Sequence, residues 1–324
     1  MTGGGSDAAP GGCGRVLVTG VAGFIGSHTA AALLERATAV VGVDDLSQGR
    51  REDVPGGVEF HRLDVRDHTA LDRLLADRPV DALVHLAAQV SVTAGERDPT
   101  RDREINLDAS GELARAAARR GVRAFVFTSS AAVYGDPAEL PLTEASPVAP
   151  RSAYGLHKWL AEGYIEHVAR QSGLRHVILR LANVYGPGQR ARSDGGVIAA
   201  FVERMAAGEP LVIHGDGRQT RDFVYVGDVV AAILAALDTD ASGTFNVSSG
   251  TETDLLSVVE QLAAAVGTEP RLTFSAPRPA DIRRSVLDPT AARRHLGWSP
   301  RVSLADGLAR TWKHGGTGRG SAPR

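Results

Sequence analysis

The sequence predicts an α/β fold: a doubly wound parallel sheet followed by a smaller, mixed α/β lobe. Three observations carry this. Short β-branched runs of almost unbroken apolar character recur up to about residue 182, as expected of parallel strands covered on both faces. Alanine- and leucine-rich helical stretches separate them, the alternation typical of doubly wound sheets. Beyond residue 183 the runs shorten and Gly and Pro become frequent, which reads as a second lobe closing over the sheet.

In chain order, residues 15–19, 39–43, 82–86, 124–128 and 176–180 are expected to be strands, each rich in Val, Ile, Leu or Phe. Between them the apolar spacing fits helices near 25–36, 69–77, 102–120 and 153–171. In the second lobe, helices are expected near 196–207, 228–237, 254–266 and 303–313. The glycine-rich ends, 1–14 and 315–324, read as flexible tails. This gives a nucleotide-binding domain over 15–182 and a substrate domain over 183–314, part of which returns to the sheet.

With 43% apolar and 23% charged residues, the chain can bury a sizeable core. A formal charge of −2 gives no electrostatic reason to expect a nucleic-acid or acidic-membrane partner. The one cysteine, Cys13, excludes an internal disulfide framework and a cysteine-based zinc site, and no metal is expected. No apolar run is long enough to span a bilayer and the opening residues do not read as a signal peptide, so the expected location is cytoplasmic.

The first strand runs into a G-x-x-G-x-x-G turn, Gly20, Gly23 and Gly26, with Phe24 and Ile25 inside it. Such a turn lets the backbone approach a pyrophosphate while the following helix offers free N–H groups and a favourable dipole. Asp44 ends the second strand, 18 residues after Gly26. An acid there accepts bonds from ribose hydroxyls and repels a 2′-phosphate, favouring NAD over NADP. Asp45 fits that role less well. Asp64 and Val65, expected to end the third strand, are placed to flank the adenine, although a plain acidic surface loop fits Asp64 equally by position.

Tyr154 and Lys158 stand four apart in a helical pattern, on one face. A phenol titrates near ~10. Lys158 together with a cationic nicotinamide ring would lower that value and make Tyr154 a usable base. Of the 36 basic residues only Lys158 and Lys313 are lysines, so this ammonium stands out. Ser130 lies at the C-terminal end of a strand, the end that faces the ligand crevice in such sheets, where it can orient a reacting hydroxyl.

Taken together, the Gly20–Gly26 turn, Asp44, the run from His85 to Ala88, Asn106, the stretch from Thr128 to Gly135, Tyr154 with Lys158, and the stretch from Asn183 to Pro187 resemble an extended short-chain dehydrogenase/reductase. The segments 215–226 and 278–281 narrow the resemblance to the nucleotide-sugar 4-epimerases, and the likeness covers 15–313. It implies a Rossmann-type sheet, tightly held NAD bordered by Leu86, Ala87 and Ala88, and catalysis by Ser130, Tyr154 and Lys158. It further implies a UDP-sugar in contact with Thr128, Ser129, Asn183 and Asp281, its pyrophosphate gripped by Arg221 and Arg278. A homodimer through helices near 102–120 and 153–171 is also implied.

The implied reaction is oxidation and re-reduction at the sugar's C4 through a transient 4-keto intermediate. Relatives that dehydrate or decarboxylate carry acidic residues just after the catalytic hydroxyl, where Ala131 and Ala132 stand here. Those that epimerise at C3 and C5 use a cysteine, but Cys13 lies in the tail. Two arginines, Arg190 and Arg192, occupy the loop expected near the sugar's C6 substituent. An inward arginine would want an anion such as a uronate carboxylate, whereas arginines facing water would carry no such meaning. UDP-glucuronate to UDP-galacturonate is therefore the first expectation. UDP-glucose/UDP-galactose or UDP-N-acetylglucosamine is the alternative, and a non-catalytic nucleotide-binding sensor the remote one.

Overall fold

The computed structural model describes residues 13–191, 196–277 and 282–315. Arg192, Arg278 and Asp281 lie outside them. The first half runs β1 (Arg15–Thr19), α1 (Phe24–Glu35), β2 (Ala39–Asp44), β3 (Glu59–Arg62), α2 (His68–Asp77), β4 (Ala82–His85), α3 (Val92–Arg97), α4 (Pro99–Arg103), α5 (Ala109–Arg119), β5 (Ala124–Ser130), α6 (Ala153–Ser172) and β6 (Arg175–Leu181). The second half adds β7 (Asn183–Tyr185), α7 (Val197–Ala206), β8 (Leu211–His214), β9 (Thr220–Tyr225), α8 (Val226–Asp238), β10 (Gly243–Val247), β11 (Glu252–Asp254), α9 (Leu255–Val266), β12 (Leu272–Ser275), α10 (Thr290–Leu296) and α11 (Leu304–Gly315).

Seven strands form one sheet in the order β10-β6-β5-β4-β1-β2-β3, every neighbouring pair parallel. This is the expected doubly wound, Rossmann-type arrangement, whose order reverses between β1 and β4 and opens a crevice there. Strand alternation divides the core. Val16, Val18, Val84 and Val126 turn toward α1 and α8, while Leu17, Leu83, Phe125 and Phe127 turn toward α2, α5 and α6. A third cluster, around Tyr185, Phe201, Ile213 and Leu262, holds the smaller lobe.

Two local readings need correction. The third strand ends at Arg62, so Asp64 and Val65 sit in the loop beyond it. The single helix expected near 102–120 is three pieces, because Pro99 at the first helical position and an Asp98 cap start α4 early. A π-helical turn over Glu104–Asp108 then joins α4 to α5. Inside that turn the buried Asn106 donates from Nδ2 to the Gln89 carbonyl at 2.9 Å. No helix among the described residues is long and apolar enough to cross a membrane.

Candidate active site

A cleft of about 1120 Å³ opens at the C-terminal ends of the central strands and is roofed by the second lobe. Its wall brings together Gly20, Gly23, Phe24, Ile25, Gly26, Asp44, Asp64, Val65, Leu86, Ala87 and Ala88 with Thr128, Ser129, Ser130, Tyr154, Lys158, Asn183 and Arg190. Arg221 is not in that wall; its guanidinium donates to the carbonyls of Thr220 and Ile282, both at 2.7 Å.

One end of the cleft is built for a dinucleotide. Gly20 adopts φ +71°, and a Cβ there would stand 2.7 Å from the backbone nitrogen of Ala87. A Cβ on Gly26 would meet the Gly20 carbonyl oxygen at 2.0 Å. Only glycine lets the turn and α1 pack this closely. Helix α1 begins at Gly23 without a side-chain cap, so its first N–H groups are offered to the cleft. Asp44 is buried, accepting from the N–H groups of Ala22 at 3.0 Å and Leu46 at 2.8 Å. Each oxygen keeps a lone pair for ribose hydroxyls, and burial pushes this carboxyl above its ordinary range. The uncapped helix, the glycine turn and the placed carboxylate fit NAD. Asp64 is engaged by Arg66 at 2.6 Å, which also reaches Glu104 at 3.1 Å. That pairing holds the Asp64 carboxyl below its usual value.

The chemical end centres on α6. Ser152 caps the helix through Gly155 N–H at 3.1 Å, and the Glu96 carboxylate takes the Ala153 N–H at 2.7 Å. These bonds fix the first turn, which carries Tyr154. The Ser130 hydroxyl accepts from Ala132 N–H at 3.2 Å and acts to lower the Tyr154 phenol. Burial nevertheless dominates and pushes Tyr154 up to about 12. Lys158 by itself does not supply the expected lowering of the phenol. The Lys158 ammonium instead donates to the Thr128 carbonyl at 2.9 Å and stands 4.5 Å from the Phe127 ring centroid. Burial draws it down to about 8, partly opposed by Asp102 and Glu162.

Several supporting contacts depend on partners the sequence does not reveal. His85, stacked on Phe127, bridges Thr19 at 2.7 Å and Ser110 at 3.0 Å, and burial pulls it down to about 3. Glu162 and Arg180 form a buried bidentate pair whose shortest contact is 2.6 Å. Asp102 accepts from His157 and Gln89. An Asp or Glu in a helical pattern reads as solvent-facing, and only the packed partner shows otherwise. On the opposite wall, Arg190 pairs with Asp53 at 2.7 Å, a contact between residues 137 apart in sequence. The buried Ser129 hydroxyl has no hydrogen-bond partner among the described residues.

Residues 16–248 match the model of the NAD dependent epimerase/dehydratase family. A UDP-glucose 4-epimerase from Mycolicibacterium smegmatis is 42% identical over 304 residues, covering 92% of this chain and 97% of that one. The structure of a Thermotoga maritima UDP-glucose 4-epimerase with UDP-glucose superposes with a TM-score of 0.90 at 38% identity, covering 93% of this chain and 98% of the other. A mutant of the UDP-glucuronic acid 4-epimerase from Bacillus cereus, in complex with UDP-4-deoxy-4-fluoro-glucuronic acid and NAD, gives 0.85 at 30% identity, covering 93% and 98%.

Proposed function

The chain belongs to the NAD dependent epimerase/dehydratase family, as a nucleotide-sugar 4-epimerase that uses NAD, and from that premise we propose that it interconverts UDP-glucose and UDP-galactose. The Arg190–Asp53 ion pair carries the choice of a neutral sugar. The uronate expectation needed an inward arginine in search of an anion, and Arg190 already has one at 2.7 Å. The 42% identity to a UDP-glucose 4-epimerase supports the same choice. A uronate is the second reading, because Arg190 does line the cleft and Arg192 of the same loop lies outside the described residues. For it, the sugar carboxylate must displace Asp53.

In this reading Tyr154 accepts the proton of the 4-hydroxyl and returns it to the same oxygen once the keto sugar has presented its other face. Ser130, at the end of β5, orients that hydroxyl. Lys158 lends positive charge from the cleft floor, and Thr128, Ser129 and Asn183 border the sugar. NAD, when bound, supplies a hydride acceptor and donor at C4 and a cationic ring near the phenol. The 4-keto sugar turns about its link to the diphosphate between the two proton transfers. The resemblance gives Arg221 and Arg278 to the diphosphate and Asp281 to the UDP-sugar. A homodimer is supported by α6, where Leu156, Trp159 and Leu160 stand about 40% exposed on one helical face.

Proton NMR of the products from UDP-glucose and UDP-glucuronate, supplied separately, tests the substrate. Faster turnover of UDP-glucose is expected. Faster turnover of UDP-glucuronate, or turnover of neither sugar, overturns the UDP-glucose choice.

A further inference from the structure

We propose that the loop 186–190 is a strap over the NAD site, and that His28 and Asp53 are the cofactor-half residues that hold it shut. The inference rests on NAD as the hydride carrier in the reading above, and not on which sugar reacts.

The strap is braced on its own lobe. Gly186 packs so tightly on α8 that a Cβ there would lie 2.5 Å from Cγ1 of Val226. Gln189 closes the turn: its N–H reaches the Gly186 carbonyl at 3.3 Å, and its Nε2 donates to the Val184 carbonyl at 2.9 Å. Gly188 sits at φ +81°, a conformation that side chains disfavour. The loop is a preformed unit that moves as one piece.

Two ties reach it from across the cleft. Near its start, His28 of α1 donates from Nε2 to the Pro187 carbonyl at 2.9 Å, and the His28 ring packs edge-on against Phe24 with centroids 5.9 Å apart. At its end, Arg190 meets Asp53 at 2.7 Å. One anchor is carried by the helix whose uncapped start is offered to a diphosphate. The other is carried by the segment leading on from the strand that ends at Asp44. His28, Asp53 and the strap from Pro187 to Arg190 all line the same cleft.

Both ties join protein to protein, so NAD must wait for them to open whether it enters or leaves. The reaction takes electrons from C4 and gives them back, and escape of the cofactor between the two transfers would strand the sugar as its ketone. A strap that slows escape keeps the cycle closed. It also leaves a kinetic mark of its own. A residue that grips the cofactor slows exit alone, whereas a latch slows entry and exit together.

The test loads the full-length protein with radiolabelled NAD, dilutes it into excess unlabelled NAD and follows the loss of label with no sugar present. A half-exposed ion pair and a single hydrogen bond are each modest, so release should quicken by roughly two- to tenfold in Asp53→Asn, Arg190→Gln and His28→Phe. Asp53→Asn combined with Arg190→Gln should match either alone, while His28→Phe added to either should quicken release further. Affinity, from equilibrium dialysis against labelled NAD, should change by less than about twofold, because entry quickens in step. Unchanged release in variants that melt like the parent overturns the proposal. So does faster release with a proportional loss of affinity, which would make these residues direct cofactor contacts. Because no sugar is used, failure of the epimerase reading would show as absent turnover with the quickened release intact.

Discussion

Lys158 donates its ammonium to the Thr128 carbonyl at 2.9 Å, tying the first turns of α6 to the C-terminal end of β5. The contact puts the one interior lysine and the hydroxyl-bearing strand end into one rigid unit. Ser130, rather than Lys158, is the group that opposes the effect of burial on Tyr154.

Replacing Tyr154 by Phe removes the proton acceptor and little volume. Epimerisation should fall by roughly 10²- to 10⁴-fold, while binding of NAD and UDP, followed by calorimetry, changes little. Retained turnover would refute the role of the phenol.

Stability should carry the imprint of Lys158. Burial draws it to about 8, from 10.5 in an exposed setting. Between these values the unfolded chain binds more protons than the folded one, so stability rises with pH across that window. The gain approaches about 1.4 kcal/mol per pH unit. Above about 10, Tyr154, held up to about 12, contributes with the opposite sign. Urea unfolding at pH ~8 and ~9.5 should show the rise in the parent protein and its loss in Lys158→Met; equal slopes would contradict the assignment.

Asp44 joins structure to cofactor choice. Asp44→Ala strands the N–H groups of Ala22 and Leu46, at about 1–3 kcal/mol each. Asp44→Asn keeps an acceptor and should melt closer to the parent. Both should weaken NAD by roughly ten- to a hundredfold and narrow the preference over NADP. Fluorescence titration with the two cofactors checks this, and an unaltered ratio would remove Asp44 from the ribose.

The buried Glu162–Arg180 pair should be costly to break and cheap to replace. Arg180→Met alone leaves a buried carboxylate and should lose about 3–5 kcal/mol. Adding Glu162→Met should recover most of it. Denaturant unfolding of Arg180→Met, Glu162→Met and the double variant reads the coupling, and simple additivity would show that the pair does not act as a unit.

Trp159→Glu places a charge at the centre of the apolar patch on α6. Sedimentation should show the dimer giving way to monomer, with the thermal midpoint of the monomer near that of the parent. A monomeric parent protein would dispose of the interface.

Much of this was readable from residue order. The alternation of apolar runs and helices located the sheet, and local spacing drew Gly20, Asp44, Ser130 and Tyr154 to one cleft. What escaped depends on distant partners. Asp53 and Arg190 meet only because the loop after β7 crosses to the segment after β2. Asp102 looked like any helical acid until α4 packed on α6. Burial, which governs Tyr154 more than its helical neighbour does, has no local signature. The strand Gly243–Val247 is too short and plain to announce that it pairs with β6.

That last strand has an architectural consequence. The sheet is closed at its outer edge by a segment that arrives only after the chain has made an excursion through the sugar-facing lobe. The lobe is therefore built from two passes of the chain, one on each side of β10, and excising the chain at residue 182 would expose a raw β6 edge prone to sticking to other molecules. Exchanging sugar preference without disturbing the redox half therefore requires swapping both passes together.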